Sequence, residues 1–259
     1  MQALRIAASG MMAQTRNTEI IANNLANMNT TAFQRSRADF SDLLYKTIAR
    51  PESTSSQAGE LINPTVFAGM GVQIISAYRI SEPGALTQTS GTFDLAVRGE
   101  GYFPIQRPNG EVGYTRAGRF EVNQDGILVT SQGFIVDPGV SIPPNATDIT
   151  VNNSGEILAK LPGQDTPTNV GSLQLAQFPN PAGLRAEGDS LFTETDASGA
   201  ALIGTPGADS LGEILQGYIE TSNVNPIDEI TTMIKAQRAY DMNAKMMSAA
   251  DQMMAPSRN

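Results

Sequence analysis

Two stretches decide the fold: LRIAASGMMAQTRNTEIIANNLANM at residues 4–28 and IDEITTMIKAQRAYDMNAKMMSAADQMM at residues 227–254. In the first, Leu4, Ala8, Met11, Thr15, Thr18, Ala22 and Leu25 step by fours and threes. That is a heptad seam of small or apolar residues, with Arg5, Arg16, Asn17, Glu19 and Asn23 falling off it. In the second, Met233, Ala236, Tyr240, Asn243, Met247, Ala250 and Met254 step the same way. Two amphipathic helices at opposite ends of a chain need partners for their stripes. They can pair with each other, with other copies, or with both.

The first helix is expected over Gln2–Asn27, about 37 Å long at 1.5 Å per residue. Gly10 inside it costs roughly 1 kcal/mol relative to Ala, a cost that suits a close neighbouring backbone. Asn225-Pro226 opens the second helix, with Asp228 and Glu229 where the helix dipole favours negative charge. Eight of the eleven methionines fall on these two helices, where flexible side chains fill irregular gaps between packed neighbours.

Between the helices the pattern changes. Phe40, Leu43, Leu44 and Ile48 fit a short helical face, and Pro51–Gly71, rich in Ser, Thr, Gly and Pro, reads as an extended arm. From residue 72 to about 222 short apolar runs alternate with turn signals. Asn109-Gly110, Asp125-Gly126 and Gln132-Gly133 are hairpin turns, because such turns need positive φ at their centre. The chain is therefore α+β: terminal helices forming a coiled-coil-like domain (residues 1–30 with 226–259), a connecting segment and arm (31–71), and a mostly antiparallel β domain (72–225).

Composition narrows the function. A net charge of −9 argues against nucleic acid or an anionic membrane as partner, and no run of about 18 apolar residues spans a bilayer. The amino-terminal segment lacks the continuous apolar run of a cleaved secretory signal. With no Cys and no His, thiol chemistry, His-based triads and His or Cys metal sites are excluded. No cofactor or metal is implied. Gly99-Glu-Gly101 precedes a strand and lacks a third glycine, so it is no dinucleotide loop. Asn123-Gln-Asp125-Gly126 lacks the distal Glu of a calcium loop, and a hairpin turn explains it. Glu100 is the least implausible catalytic acid, although a charged turn between strands accounts for it better.

Three groups of residues carry a resemblance. Ala22-Asn-Asn-Leu-Ala-Asn-Met-Asn-Thr-Thr-Ala-Phe-Gln-Arg35 resembles the amino-terminal signature of the bacterial flagellar rod and hook proteins. Glu220-Thr-Ser-Asn-Val-Asn-Pro226, followed by Met233-Ile and Gln237-Arg-Ala-Tyr240, is similar to their carboxy-terminal signature. Asp94-Leu-Ala-Val-Arg-Gly-Glu-Gly-Tyr-Phe103, Tyr114-Thr-Arg-Ala-Gly-Arg-Phe120 and Gly126-Ile-Leu-Val-Thr130 look like their β domain. Ala32 stands where the family usually has Gly, which suggests a turn that avoids positive φ, and Gln34 where it often has Lys.

The resemblance implies a structural, non-enzymatic subunit of the flagellar basal body. Its copies would stack helically into the distal rod, a shaft carrying torque from motor to hook across the periplasm, with the helices as an inner tube. Length, together with residues 43–71, points to the distal rod rather than to a hook or proximal-rod subunit. The partners implied are other copies of the chain, the proximal rod proteins, the hook protein, the surrounding P- and L-ring proteins, and the flagellar type III export apparatus. Leu4, Ala8, Met11, Thr18, Ala22, Leu25, Met233, Ala236, Tyr240, Met247 and Met254 are the expected subunit-packing positions. Asn23, Asn24, Asn27, Phe33, Arg35, Thr221, Asn223, Asn225, Gln237 and Arg238 are the family-motif positions. A rival of another class, a peptidoglycan-lytic enzyme, would need two carboxylates in one cleft.

Overall fold

The computed structural model describes residues 2–49, 66–164, 166–208 and 210–254. The chain divides into two compact units: residues 1–25, 36–78 and 226–259 form one, and residues 26–35 and 79–225 the other.

The first unit holds α1 (Gln2–Ala26), β1 (Ser36–Asp42), β2 (Lys46–Ala49), β3 (Val66–Ala68), β4 (Val72–Arg79) and α2 (Pro226–Met254), apart from the end residues Ala26 and Arg79. Pro226 begins α2, and Asp228 and Glu229 fill its first turn, as the capping pattern requires. Two-stranded pairings join β1 to β4 and β2 to β3.

Here the structure corrects the helical face expected over Phe40, Leu43, Leu44 and Ile48: residues 36–42 and 46–49 are strands. The cause is tertiary. The carboxamide of buried Asn24 donates to the Ser36 carbonyl at 2.8 Å and accepts the Ser36 N–H at 2.9 Å, as a neighbouring strand would. Leu43 N–H in turn donates to the Gly71 carbonyl at 2.9 Å. A seven-residue window of weak propensity yields to such pairing. The arm expected over Pro51–Gly71 falls mostly on residues 50–65, outside the described residues. Its last part holds β3, paired antiparallel with β2.

The second unit is all β apart from one 3₁₀ turn. Its strands open with β5 (Leu86–Gln88), β6 (Leu95–Arg98), β7 (Phe103–Gln106), β8 (Val112–Thr115), β9 (Phe120–Val122) and β10 (Leu128–Thr130). β11 (Ile135–Val136), β12 (Asp148–Val151), β13 (Glu156–Lys160), β14 (Thr168–Ser172) and β15 (Leu175–Gln177) follow. β16 (Arg185–Gly188), β17 (Leu191–Thr193), β18 (Leu202–Gly204), β19 (Glu213–Gln216) and β20 (Tyr218–Glu220) complete it. The largest sheet has seven strands in the order β16-β17-β8-β7-β11-β10-β9, every pairing antiparallel. Gly110, Gly126 and Gly133 sit at φ of +82°, +79° and +86° in three of the predicted hairpin turns.

Leu95, Phe103, Ile105, Leu128, Ile157, Leu175 and Ile214 close the main core, each no more than 1% exposed. A second cluster is aromatic. Tyr102 meets Phe178 and Phe192 edge to face, with ring centroids 5.8 and 5.9 Å apart, and Tyr114 meets Phe178 at 4.8 Å. Gly118 lets the chain cross the sheet closely, since a Cβ there would lie 1.5 Å from the Leu95 carbonyl oxygen.

One buried ion pair ties this unit together. Arg116 Nε donates to Glu220 Oε2 at 2.8 Å, with the two side chains only 4% and 1% exposed. The rest of the guanidinium donates to the carbonyls of Val97, Gly99 and Gly101, while Glu220 Oε1 accepts the Gly84 N–H. Every charge is thus hydrogen-bonded, the condition under which buried ions are tolerated. The Glu220 carbonyl also accepts the Ala32 N–H at 2.9 Å, and Ala32 stands at φ +55°. Positive φ is therefore not avoided at this position. The turn keeps the conformation that glycine would take, and Ala32 adopts it while 1% exposed.

Candidate assembly surface

The helices of the first unit run side by side in opposite directions. Asn243 covers Gly10, where an added Cβ would lie 2.8 Å from Asn243 Nδ2. Fourteen residues along each helix, Asn24 Nδ2 donates to Glu229 Oε2 at 3.4 Å. The close neighbour that Gly10 accommodates is therefore a side chain rather than a backbone. Of α2 only Ala236, Ala250 and Glu229 are buried.

On α1 the buried positions are Ala7, Ala13, Ile21 and Asn24. They lie about one residue away from the expected stripe, because α1 is covered on a second side by β4. Ser9 Oγ accepts the Val72 N–H at 3.3 Å, and a Cβ at Gly71 would lie 2.2 Å from the same oxygen. This second covering was not visible in helical periodicity, which assumes one apolar face.

Of the expected packing positions, Leu4, Ala8, Met11, Thr18, Leu25, Met233 and Met247 are half-buried, Ala236 is buried, and Ala22, Tyr240 and Met254 are exposed. Most of them wall two open grooves between the helices. Leu4, Ala8 and Met11 face Tyr240, Ala244 and Met247 across about 670 Å³. Thr15, Thr18 and Ala22 face Gln237, Tyr240 and Asp241 across about 590 Å³. Tyr240, 42% exposed, stands in the wall of both.

The family-motif residues divide by role. Asn24 holds β1, as above. Asn223 does the equivalent in the second unit, accepting the Arg35 N–H at 2.7 Å and donating to the Ile80 and Glu82 carbonyls. Asn223 N–H donates to the Phe33 carbonyl, and Thr221 bonds Ala85 through both its N–H and its hydroxyl. Asn27 accepts from Thr30 at the end of α1. Asn23, Asn225, Gln237 and Arg238 are exposed.

Fifteen of the twenty exposed large apolar side chains among the described residues belong to the first unit, whereas both hydrophobic clusters lie wholly in the second. A folded unit that leaves its apolar side chains outside is built to be covered.

Glu100 lies in an exposed turn and accepts from Gln177 at 2.7 Å. Asn123 Oδ1 is taken by the Asp125 and Ile127 N–H groups of its own turn. Among the described residues no group of three acidic, His or Cys side chains is placed to hold a metal, and no helix is long and apolar enough to cross a membrane.

An α+β chain with helices from both ends in one unit, and with most of its exposed large apolar side chains on that unit, has the design of a subunit in a larger assembly. Three family descriptions match it: "Flagella basal body rod protein" over residues 4–34, "Flagellar hook protein FlgE/F/G D1 domain" over 96–159, and "Flagellar basal body rod FlgEFG protein C-terminal" over 215–255. The chain belongs to the flagellar rod and hook protein family. It is 54% identical to the flagellar basal-body rod protein FlgG of Caulobacter vibrioides over 98% of this chain and 97% of that protein. It is 32% identical to FlgG of Bacillus subtilis over 95% and 94%, and 35% identical to the rod protein FlgF of Caulobacter vibrioides over 95% and 91%. The chain is a structural subunit of the flagellar basal-body rod.

Proposed function

We propose that copies of the chain stack helically into the distal rod, a stiff hollow shaft that carries torque from the motor to the hook across the periplasm. In this reading residues 1–30 and 226–259 form an inner, coiled-coil-like tube, residues 31–71 connect, and residues 72–225 form the outer β domain. The observation that carries the reading is the pair of open grooves walled by Leu4, Ala8, Met11, Thr18, Ala22, Tyr240 and Met247. Neighbouring copies fill them, giving head-to-tail contacts that build open filaments. Met233, Ala236, Leu25 and Met254 extend the same seam. The proximal rod proteins and the hook protein meet the ends of the shaft, the P- and L-ring proteins surround it, and the type III export apparatus delivers its subunits.

Tyr240→Asp tests this. It places a charge in the wall of both grooves of the first unit, so rods should be lost while the purified chain keeps its β-sheet circular dichroism and melting. Normal rods and motility in that variant would overturn the seam assignment.

A further inference from the structure

The two contacts between α1 and α2 stand fourteen residues apart on each helix, which is two heptads. One antiparallel register therefore brings Ala3, Gly10, Asn17 and Asn24 of α1 level with Ala250, Asn243, Ala236 and Glu229 of α2. Ala250, Ala236 and Glu229 are the buried residues of α2, and Asn243 is half-buried. No large apolar side chain stands in these layers, so apolar burial within them does not choose the register.

Asn243 does choose it. Its whole carboxamide lies over Gly10: an added Cβ would meet Nδ2 at 2.8 Å, Cγ at 3.1 Å and Oδ1 at 3.2 Å. Gly10 is the one glycine of α1. A slip of one turn brings Ile6, Ala7, Ala13 or Gln14 under the carboxamide, and a slip of one heptad brings Ala3 or Asn17. Each of these carries a Cβ into the space that the carboxamide fills. On a helix only two χ1 wells are readily open to a side chain, so making room means swinging off α1 and giving up the contact.

We propose that Gly10 and Asn243 are the register key of the terminal unit: the carboxamide admits α1 only where α1 has no side chain, and that register shapes both seam grooves. The consequence for assembly rests on the reading of the chain as a rod subunit. Leu4, Ala8 and Met11 face Tyr240, Ala244 and Met247 in one groove, and Thr15, Thr18 and Ala22 face Gln237, Tyr240 and Asp241 in the other. A slip of one turn, about 5.4 Å, sets each wall against the wrong partners. One polar residue in a helical seam fixes register at some cost in stability. Here α1 shares the cost, because glycine is the poorer helix former.

The test examines basal bodies from cells whose only copy of the chain carries Gly10→Ala, alone or together with Asn243→Ala. Gly10→Ala should abolish rods and swimming, although alanine is the better helix former. The double variant should restore both, because the layer then holds two alanines, as Ala3 and Ala250 already do one heptad away. A general loss of packing would be worsened by the second substitution rather than repaired. Normal rods from Gly10→Ala, or no recovery in the double variant, would overturn the key. The chain has no cysteine, so introduced thiols read the register without background. Asn17→Cys with Ala236→Cys stand level between the two contacts, and a short bis-maleimide should link them within one chain, seen as a faster monomer on a denaturing gel. Dimers or unlinked monomers from intact rods would overturn the register, and Ala3→Cys with Ala250→Cys replaces this pair if it builds no rods. Absence of the unmodified chain from isolated rods would instead overturn the rod-subunit reading, so the two failures are distinguishable.

Discussion

The two units solve the problem of burying apolar surface in opposite ways. The β unit closes two hydrophobic clusters and neutralises its one deeply buried ion pair internally. The terminal unit has longer helices and more methionine, yet among its described residues it buries chiefly alanine, with Ile21 the one large buried aliphatic side chain, and holds its register with polar contacts at Asn243, Asn24 and Ser9. The difference teaches that element length is no measure of self-sufficiency. What matters is whether the apolar side chains find partners inside the same chain.

The largest effect should come from cutting into the unit that does find them. Phe103→Ala removes a fully buried ring and should cost about 3–5 kcal/mol in urea unfolding. Ile230→Ala, at an exposed position of α2, should change the stability of the isolated chain by less than about 0.5 kcal/mol. Equal costs would erase the contrast between the units.

Acid sharpens the contrast further. In the β unit, hydrogen bonds from Arg107, then Arg185 and Thr193, hold the Glu187 carboxyl at about 2. A depressed carboxyl contributes stability above its ordinary value of 4.5 and loses it as pH falls through about 2. The difference in Tm between the wild-type chain and Glu187→Gln should therefore be full above that ordinary value and shrink steadily toward pH 2. A constant difference across that range would show that the three donors do not act on the ionised form.

The smallest effect is expected at Ala32. Glycine there relieves a left-handed alanine, worth about 1–2 kcal/mol. It also loses about 0.5–1 kcal/mol of backbone entropy and about 0.8 kcal/mol of buried methyl. Ala32→Gly should leave unfolding free energy within about 1 kcal/mol of the wild type. A larger gain would mean that Ala32 is more strained than its burial suggests.

Much of this was legible in the residues. Both helices announce themselves because a three-and-four stripe persists over about six turns, and the hairpins because Asn-Gly and Asp-Gly carry the positive φ they need. The signatures around Asn24 and Asn223 named the family. What they do, holding Ser36 and Arg35 through carboxamides, depends on partners 12 and 188 residues away, beyond any local pattern. Phe40, Leu43, Leu44 and Ile48 read as a helical face for the same reason: the strand state is imposed by Asn24 and β4 on β1 and by β3 on β2. Arg116 and Glu220, 104 residues apart, stand in two separate family signatures, and no local pattern pairs them.

The terminal unit is composed of residues from both ends of the chain, with the whole β unit threaded between them. A chain cut short before Pro226 keeps every residue of the β unit, yet lacks one of its two seam helices. Under the proposed packing, only a chain that holds both ends of this unit presents both halves of the joint, so assembly selects against chains cut short before Pro226.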